Sequence, residues 1–119
     1  MVGFFKYPKR RLKKLLKEGE YNEAILFGTS LESDYSDDHD FMFIMGSVYF
    51  IVDDPKKALT YFEKAFQLDK NDIETLTLKT NVHLSLQQKD KSIECCKLIL
   101  KLQPNNSEAQ DLLEKLENL

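Results

Sequence analysis

Residues 39–72 read HDFMFIMGSVYFIVDDPKKALTYFEKAFQLDKND, and this stretch decides the fold. Its spine is Met42, Met45, Gly46, Tyr49, Ala58, Phe62 and Ala65, followed by Leu68-Asp69-Lys70-Asn71. The apolar positions recur at helical spacing on both sides of Asp53-Asp54-Pro55. Asp before Pro is a helix start, with Asp as cap and Pro in the first turn, where no amide proton is needed. The stretch is therefore a pair of helices joined by a short turn.

Moving outward in steps of 34 residues finds the same frame twice more. Ala24, Ala58 and Ser92 keep that step, as do Ile25, Leu59 and Ile93. So do Phe27, Tyr61 and Cys95, then Leu15, Tyr49 and His83, then Leu31, Ala65 and Ile99. A fixed period of this length marks stacked units, each covering its neighbour's apolar face. The third unit puts Thr80 at the Gly46 position and Cys96 at the Phe62 position. The first puts Leu12 at the Gly46 position and Gly28 at the Phe62 position.

These residues resemble the tetratricopeptide repeat, a helix–turn–helix of about 34 residues. The resemblance covers about 5–106, as repeats at about 5–38, 39–72 and 73–106 of a single domain spanning 1–119. It implies an all-α fold, a right-handed superhelical stack of three helix hairpins plus a C-terminal capping helix over 107–119. Ala109, Leu112, Leu113 and Leu116 lie on one stripe of that last helix, while Glu108, Asp111, Glu114 and Glu117 face away, as a cap requires.

Composition agrees with a helical protein. Of 119 residues, 42% are hydrophobic and 31% charged, with only four Gly and three Pro. The apolar run from Phe41 to Val52 is interrupted by Gly46 and Ser47 and is too short to span a bilayer. Val2 to Phe5 is too short for a secretory core, so no signal peptide is expected. Cys95 and Cys96 are adjacent and point to different sides of a helix, so no disulfide between them is expected. Free thiols suit the cytoplasm.

Net charge is −3, but it is unevenly spread. Residues 1–17 hold Lys6, Lys9, Arg10, Arg11, Lys13, Lys14 and Lys17 and no acid, while all 20 acidic residues lie beyond. A basic end on an acidic body attracts acidic partners.

Little in the sequence points to catalysis, and no enzyme activity, cofactor or metal is expected. Glycine-rich phosphate loops, CxxC, HExxH and GxSxG are absent. His83 takes the Tyr49 position and reads as core. Asp34, Asp37, Asp38, His39 and Asp40 match no calcium loop, and acids before a helix act as caps. Cys96 also takes a core position, which argues against a reactive thiol.

Binding is the better reading. In the family, the first helix of each unit lines a concave groove. That resemblance assigns peptide-binding roles to Lys9, Arg10, Lys13 and Lys17 in the first unit. It assigns Phe43, Ile44, Ser47, Phe50 and Ile51 in the second, and Leu78 and Asn81 in the third. The groove so inferred is basic at one end and apolar in the middle. Some members grip the acidic tail of heat-shock chaperones with a Lys/Asn/Arg clamp. Here Lys9 is kept, but the other clamp positions hold Lys13, Ile44, Glu74 and Leu78, which argues against that activity. The expectation is a non-catalytic adaptor or scaffold holding a protein or peptide with apolar and acidic residues. Two alternatives stand beside it. One is a homo-oligomer formed through the same apolar face. The other is nucleic-acid or anionic-membrane contact through residues 4–17.

Overall fold

The computed structural model describes residues 7–118. Among the described residues the chain forms α1 (Pro8–Lys17), α2 (Tyr21–Leu31), α3 (His39–Ile51), α4 (Pro55–Leu68), α5 (Ile73–Ser85), α6 (Lys89–Leu102) and α7 (Ser107–Glu117). A 3-10 turn, Glu32–Asp34, follows α2. No strand occurs among these residues. Helices adjacent in sequence pack pairwise, giving three hairpins and a seventh helix against the last. α1 also meets α3, and α3 meets α5, so the odd helices share one side. That is the helical-hairpin stack expected from the period.

The same period governs the ends of the helices. Asp38, Asp72 and Asn106 lie 34 residues apart and are the N-caps of α3, α5 and α7. Their side chains accept from the amides of Phe41, Thr75 and Ala109. Each cap satisfies an amide that the helix itself cannot. The cap at Asn106 places α7 as the first helix of a further unit. Asp54 caps α4, accepting from the Lys57 amide at 3.2 Å, with Pro55 next to it.

The turns inside the hairpins repeat as well. Gly19, Asp53 and Gln87 all have left-handed backbone, with φ of 79°, 63° and 58°. The amide after each donates back five residues, to Leu15, Tyr49 and His83 carbonyls at 2.9, 2.9 and 2.8 Å. These are helix-ending Schellman turns, which favour glycine at the left-handed position. Only the first hairpin supplies it.

The core uses size exchange between paired positions. In the second hairpin a Cβ on Gly46 would lie 2.8 Å from the Phe62 ring, so the ring occupies the space glycine leaves. In the first hairpin the large residue is Leu12, on the other helix, and Gly28 faces it. A Cβ on Gly28 would lie 3.6 Å from Leu12 and 2.3 Å from the Met45 sulfur. In the third, Thr80 and Cys96 are both of middle size and both buried. The first unit thus has large and small residues at exchanged positions, and it is Met45 of α3 that fills the space Gly28 leaves.

The third hairpin also buries a cation. Lys79 stands at the Met45 position and is 6% exposed. Its ammonium lies 3.2 Å from Glu63 Oε1 and 4.1 Å from the centre of the Phe66 ring. A carboxylate and an aromatic face together offset the cost of burying the charge.

Candidate functional site

The residues expected to bind a partner belong to α1, α3 and α5, which lie side by side through the α1–α3 and α3–α5 contacts. α3 is the middle one. This helix is apolar on most sides because it packs on α1, α2, α4 and α5. Phe41, Met42, Met45, Val48 and Tyr49 are buried. Ile44 is buried too, at 4% exposure, so the expected contact surface has to be drawn without it. Core packing on both flanks of α3 claims that position.

Phe43, Phe50 and Leu78 behave differently. All three are half-buried and pack against the same core cluster while keeping part of their surface outside. The Phe43 ring meets Phe62 edge-on, with centres 5.9 Å apart. The His39 ring stacks near-parallel to it, with centres 6.4 Å apart. Ile51 is 50% exposed, at the end of α3. Ser47 Oγ donates to the Phe43 carbonyl at 2.8 Å, which ties its hydrogen to its own helix. Asn81 and Thr77 line a cleft of about 110 Å³ between α5, α6 and α7, with Cys96, Ile99 and Leu112 among its other walls.

The basic end is partly neutralised from within. Lys9 Nζ lies 2.8 Å from Asp38 Oδ2 and 3.7 Å from Asp40 Oδ2. Lys13 Nζ lies 3.1 Å from Asp40 Oδ2. The hydrogen bond from Lys9 dominates the shifts in this pair on the lysine side and raises its pKa. Burial pushes the Asp38 carboxyl up, but Lys9 and the Phe41 amide outweigh it and hold the carboxyl below its usual range. Arg10 stacks over Tyr7, 4.6 Å from the ring centre. Lys17 is exposed and in no ion pair among the described residues. Of four expected binding cations, two are therefore committed to the next unit. Lys6, with the rest of 1–6, lies outside the described residues.

The acidic run before α3 disperses into contacts between units. Asp38 caps α3 and holds Lys9, and Asp40 holds Lys13. His39 Nε2 lies 3.2 Å from Asp72 and 3.1 Å from Thr75 Oγ1. Thr75 Oγ1 donates to Asp72 at 2.6 Å, so the three side chains join α3 to the start of α5. His83 is buried, with Nδ1 2.8 Å from Gln88 Oε1. Both cysteines are free and buried, Cys95 as well as Cys96. Burial raises both thiols, and the charge of Lys79 offsets this only in part at Cys95. A thiol held protonated is a poor nucleophile.

Sequence reading missed an outer cleft of about 700 Å³. Thr29, Glu32, Ser33, Ser36, Tyr49, Lys57, Thr60, Tyr61 and Lys64 line it. Tyr49 and Tyr61 stack with ring centres 5.5 Å apart, and Tyr61 OH donates to Glu32. Burial, then the bond to Glu32, pushes the Tyr61 phenol above its ordinary range. The signal available was the period itself, which stacks Tyr61 beside residues 29–36 on the outer helices.

A family model described as tetratricopeptide repeat matches residues 49–116. No curated protein matches the chain. Among solved structures, the first TPR of Spaghetti (RPAP3) bound to the HSP90 peptide SRMEEVD is 23% identical, with a TM-score of 0.83 over 93% of this chain and 88% of that one. The second TPR domain of human RPAP3 with the HSP70 peptide SGPTIEEVD is 20% identical, with a TM-score of 0.81 over 92% of each. PcrH in complex with the chaperone binding region of PopD is 15% identical, with a TM-score of 0.85 over 99% and 94%.

Proposed function

The chain belongs to the tetratricopeptide repeat family, and from that premise we propose that it is a non-catalytic protein–protein interaction module. It holds a peptide or helix on its inner face, as an adaptor or scaffold. The observation that carries this reading is the partial exposure of Phe43, Phe50 and Leu78 on a face otherwise packed into the core. Such rings and side chains anchor a partner when they become fully desolvated. Structures of similar fold are seen with peptides or a chaperone-binding region in place, which supports the same use here.

The partner is apolar at its centre and acidic toward α1. Arg10 and Lys17 supply the attraction, because Lys9 and Lys13 already face Asp38 and Asp40. An acidic heat-shock tail fits poorly. The clamp positions hold buried Ile44, exposed Glu74 and half-buried Leu78. Buried free thiols at Cys95 and Cys96 suit the cytoplasm, where we place the protein.

Panning a displayed peptide library against the full chain tests the proposal. Selected peptides should carry apolar anchors with flanking acids. The double change Phe43→Ser with Phe50→Ser should weaken their binding at least about tenfold, while circular dichroism stays helical. Binding that survives the double change sinks the groove reading. Light scattering separates the alternative of self-association: a monomer before peptide is added supports the module, and a dimer lost in the double mutant supports assembly through the same face. Tight binding of nucleic acid or anionic vesicles at physiological salt would favour the basic first helix instead.

A further inference from the structure

The loop joining the 3-10 turn to α3 sets a serine among acids: Asp34, then Ser36, Asp37, Asp38 and Asp40. Ser36 is exposed. It lines the outer cleft of about 700 Å³ together with Lys57 and Lys64 of α4. It also lines an adjoining cleft of about 480 Å³, again beside Lys64. The two lysines sit over tyrosine rings, Lys57 5.4 Å from the centre of Tyr49 and Lys64 5.6 Å from that of Tyr61. Neither forms an ion pair among the described residues. Of the carboxylates that share these clefts, Glu63 is paired with Lys79, and Glu32 accepts from Tyr61 within the larger cleft and forms no ion pair among the described residues. Two cations are thus held at a cleft whose rim carries a hydroxyl flanked by acids. Acids around an exposed serine complement the basic substrate groove of an acid-directed kinase.

We propose that Ser36 is a phosphorylation site whose phosphate is received by Lys64 and Lys57, tying the loop to α4. The γ-phosphoryl group of a nucleoside triphosphate is the donor. A bond forms from Ser36 Oγ to the γ-phosphorus, and the bond from that phosphorus to the β–γ bridging oxygen breaks. The nucleoside diphosphate leaves with that electron pair, and the serine proton passes to the kinase's base. The product carries a charge of about −1.5 to −2 and three strong acceptor oxygens. Two lysines without carboxylate partners match it, where one would not.

The loop also reaches the other face. Lys9, on α1, holds Asp38 at 2.8 Å and lies 5.9 Å from the centre of the Tyr35 ring. A phosphate at Ser36 therefore fastens to α4 the same loop that neutralises Lys9. This site goes beyond the groove reading and stands without it.

The full chain is incubated with magnesium ATP and a purified acid-directed serine kinase, and the product is mapped by mass spectrometry. The phosphorus NMR signal is then titrated with pH. One phosphate at Ser36 is expected. Its second ionisation should fall about half a pH unit or more below that of a phosphopeptide spanning residues 31–41, because nearby cations favour the dianion. Lys64→Gln and Lys57→Gln, both at exposed positions, should each return it part of the way to the peptide value. No incorporation, a phosphate on Ser33 or elsewhere in place of Ser36, or an ionisation equal to the peptide's overturns the proposal.

Discussion

The second and third hairpins share one frame and fill it differently. In the second, the Phe62 ring closes on Gly46 and Met45 completes the layer. In the third, Cys96 faces Thr80, Lys79 replaces Met45, and a cleft of about 110 Å³ stays open toward α7. Repeat period dictates where helices start, turn and meet. It does not dictate how the space between them is filled, which each pair of helices settles by exchanging volume. Stability should therefore be unevenly spread, with the second hairpin tightest and the end of the stack softer.

The sharpest way to break this contrast is truncation at equivalent positions. Phe62→Ala removes a fully buried ring and should cost about 3–5 kcal/mol in urea unfolding. Cys96→Ala removes one sulfur beside an existing cleft and should cost about 1 kcal/mol. Equal losses would show that the third hairpin is as tightly packed as the second.

Adding a methyl group probes the same difference from the other side. Gly46→Ala drives a Cβ to 2.8 Å from a ring that has no room to turn, and should cost about 1–3 kcal/mol despite better helix propensity. Gly28→Ala meets the sulfur and methyl of Met45, the far end of a flexible side chain, so its thermal midpoint should drop less. A larger drop at Gly28 would mean that Met45 is the more rigid neighbour.

Much of the architecture was legible in the chain. The Asp54-Pro55 start was read from capping chemistry, and that cap is present. Other features escaped because they join residues that the repeat pattern does not pair. Lys9 and Asp38 are 29 positions apart, so charges read as free for a partner turned out to be shared between units. Gly28 stands at the Phe62 position, and the side chain that fills the space it leaves is Met45 from the next unit, a pairing the 34-residue step does not point to. Ile44 was read as groove because its position in the unit is a groove position, yet burial between neighbours removes it from the surface. The left-handed turns at Asp53 and Gln87 carry no glycine to announce them.

Two smaller effects sharpen the comparison. Cys96→Leu extends into the open cleft beneath α7 and should raise stability by about 0.5–1 kcal/mol, read as a higher urea midpoint. A loss would show that α7 and α5 cannot accommodate the larger side chain. Gln87→Gly relieves a left-handed residue at φ 58° and should raise the thermal midpoint slightly, worth a few tenths of a kcal/mol at most. The same change at Asp53 should act alike, since the two turns have the same geometry.

The central claim is that the inner face, centred on α3, is where this protein meets its partner. It is tested most directly by titrating a selected peptide into isotope-labelled full chain and mapping the amide shifts by NMR. The account predicts saturable changes grouped on Phe43, Ser47, Phe50, Leu78 and Asn81, extending to Arg10 and Lys17. Changes confined to the outer helices α2, α4 and α6, with the α3 and α5 amides unmoved, would contradict it.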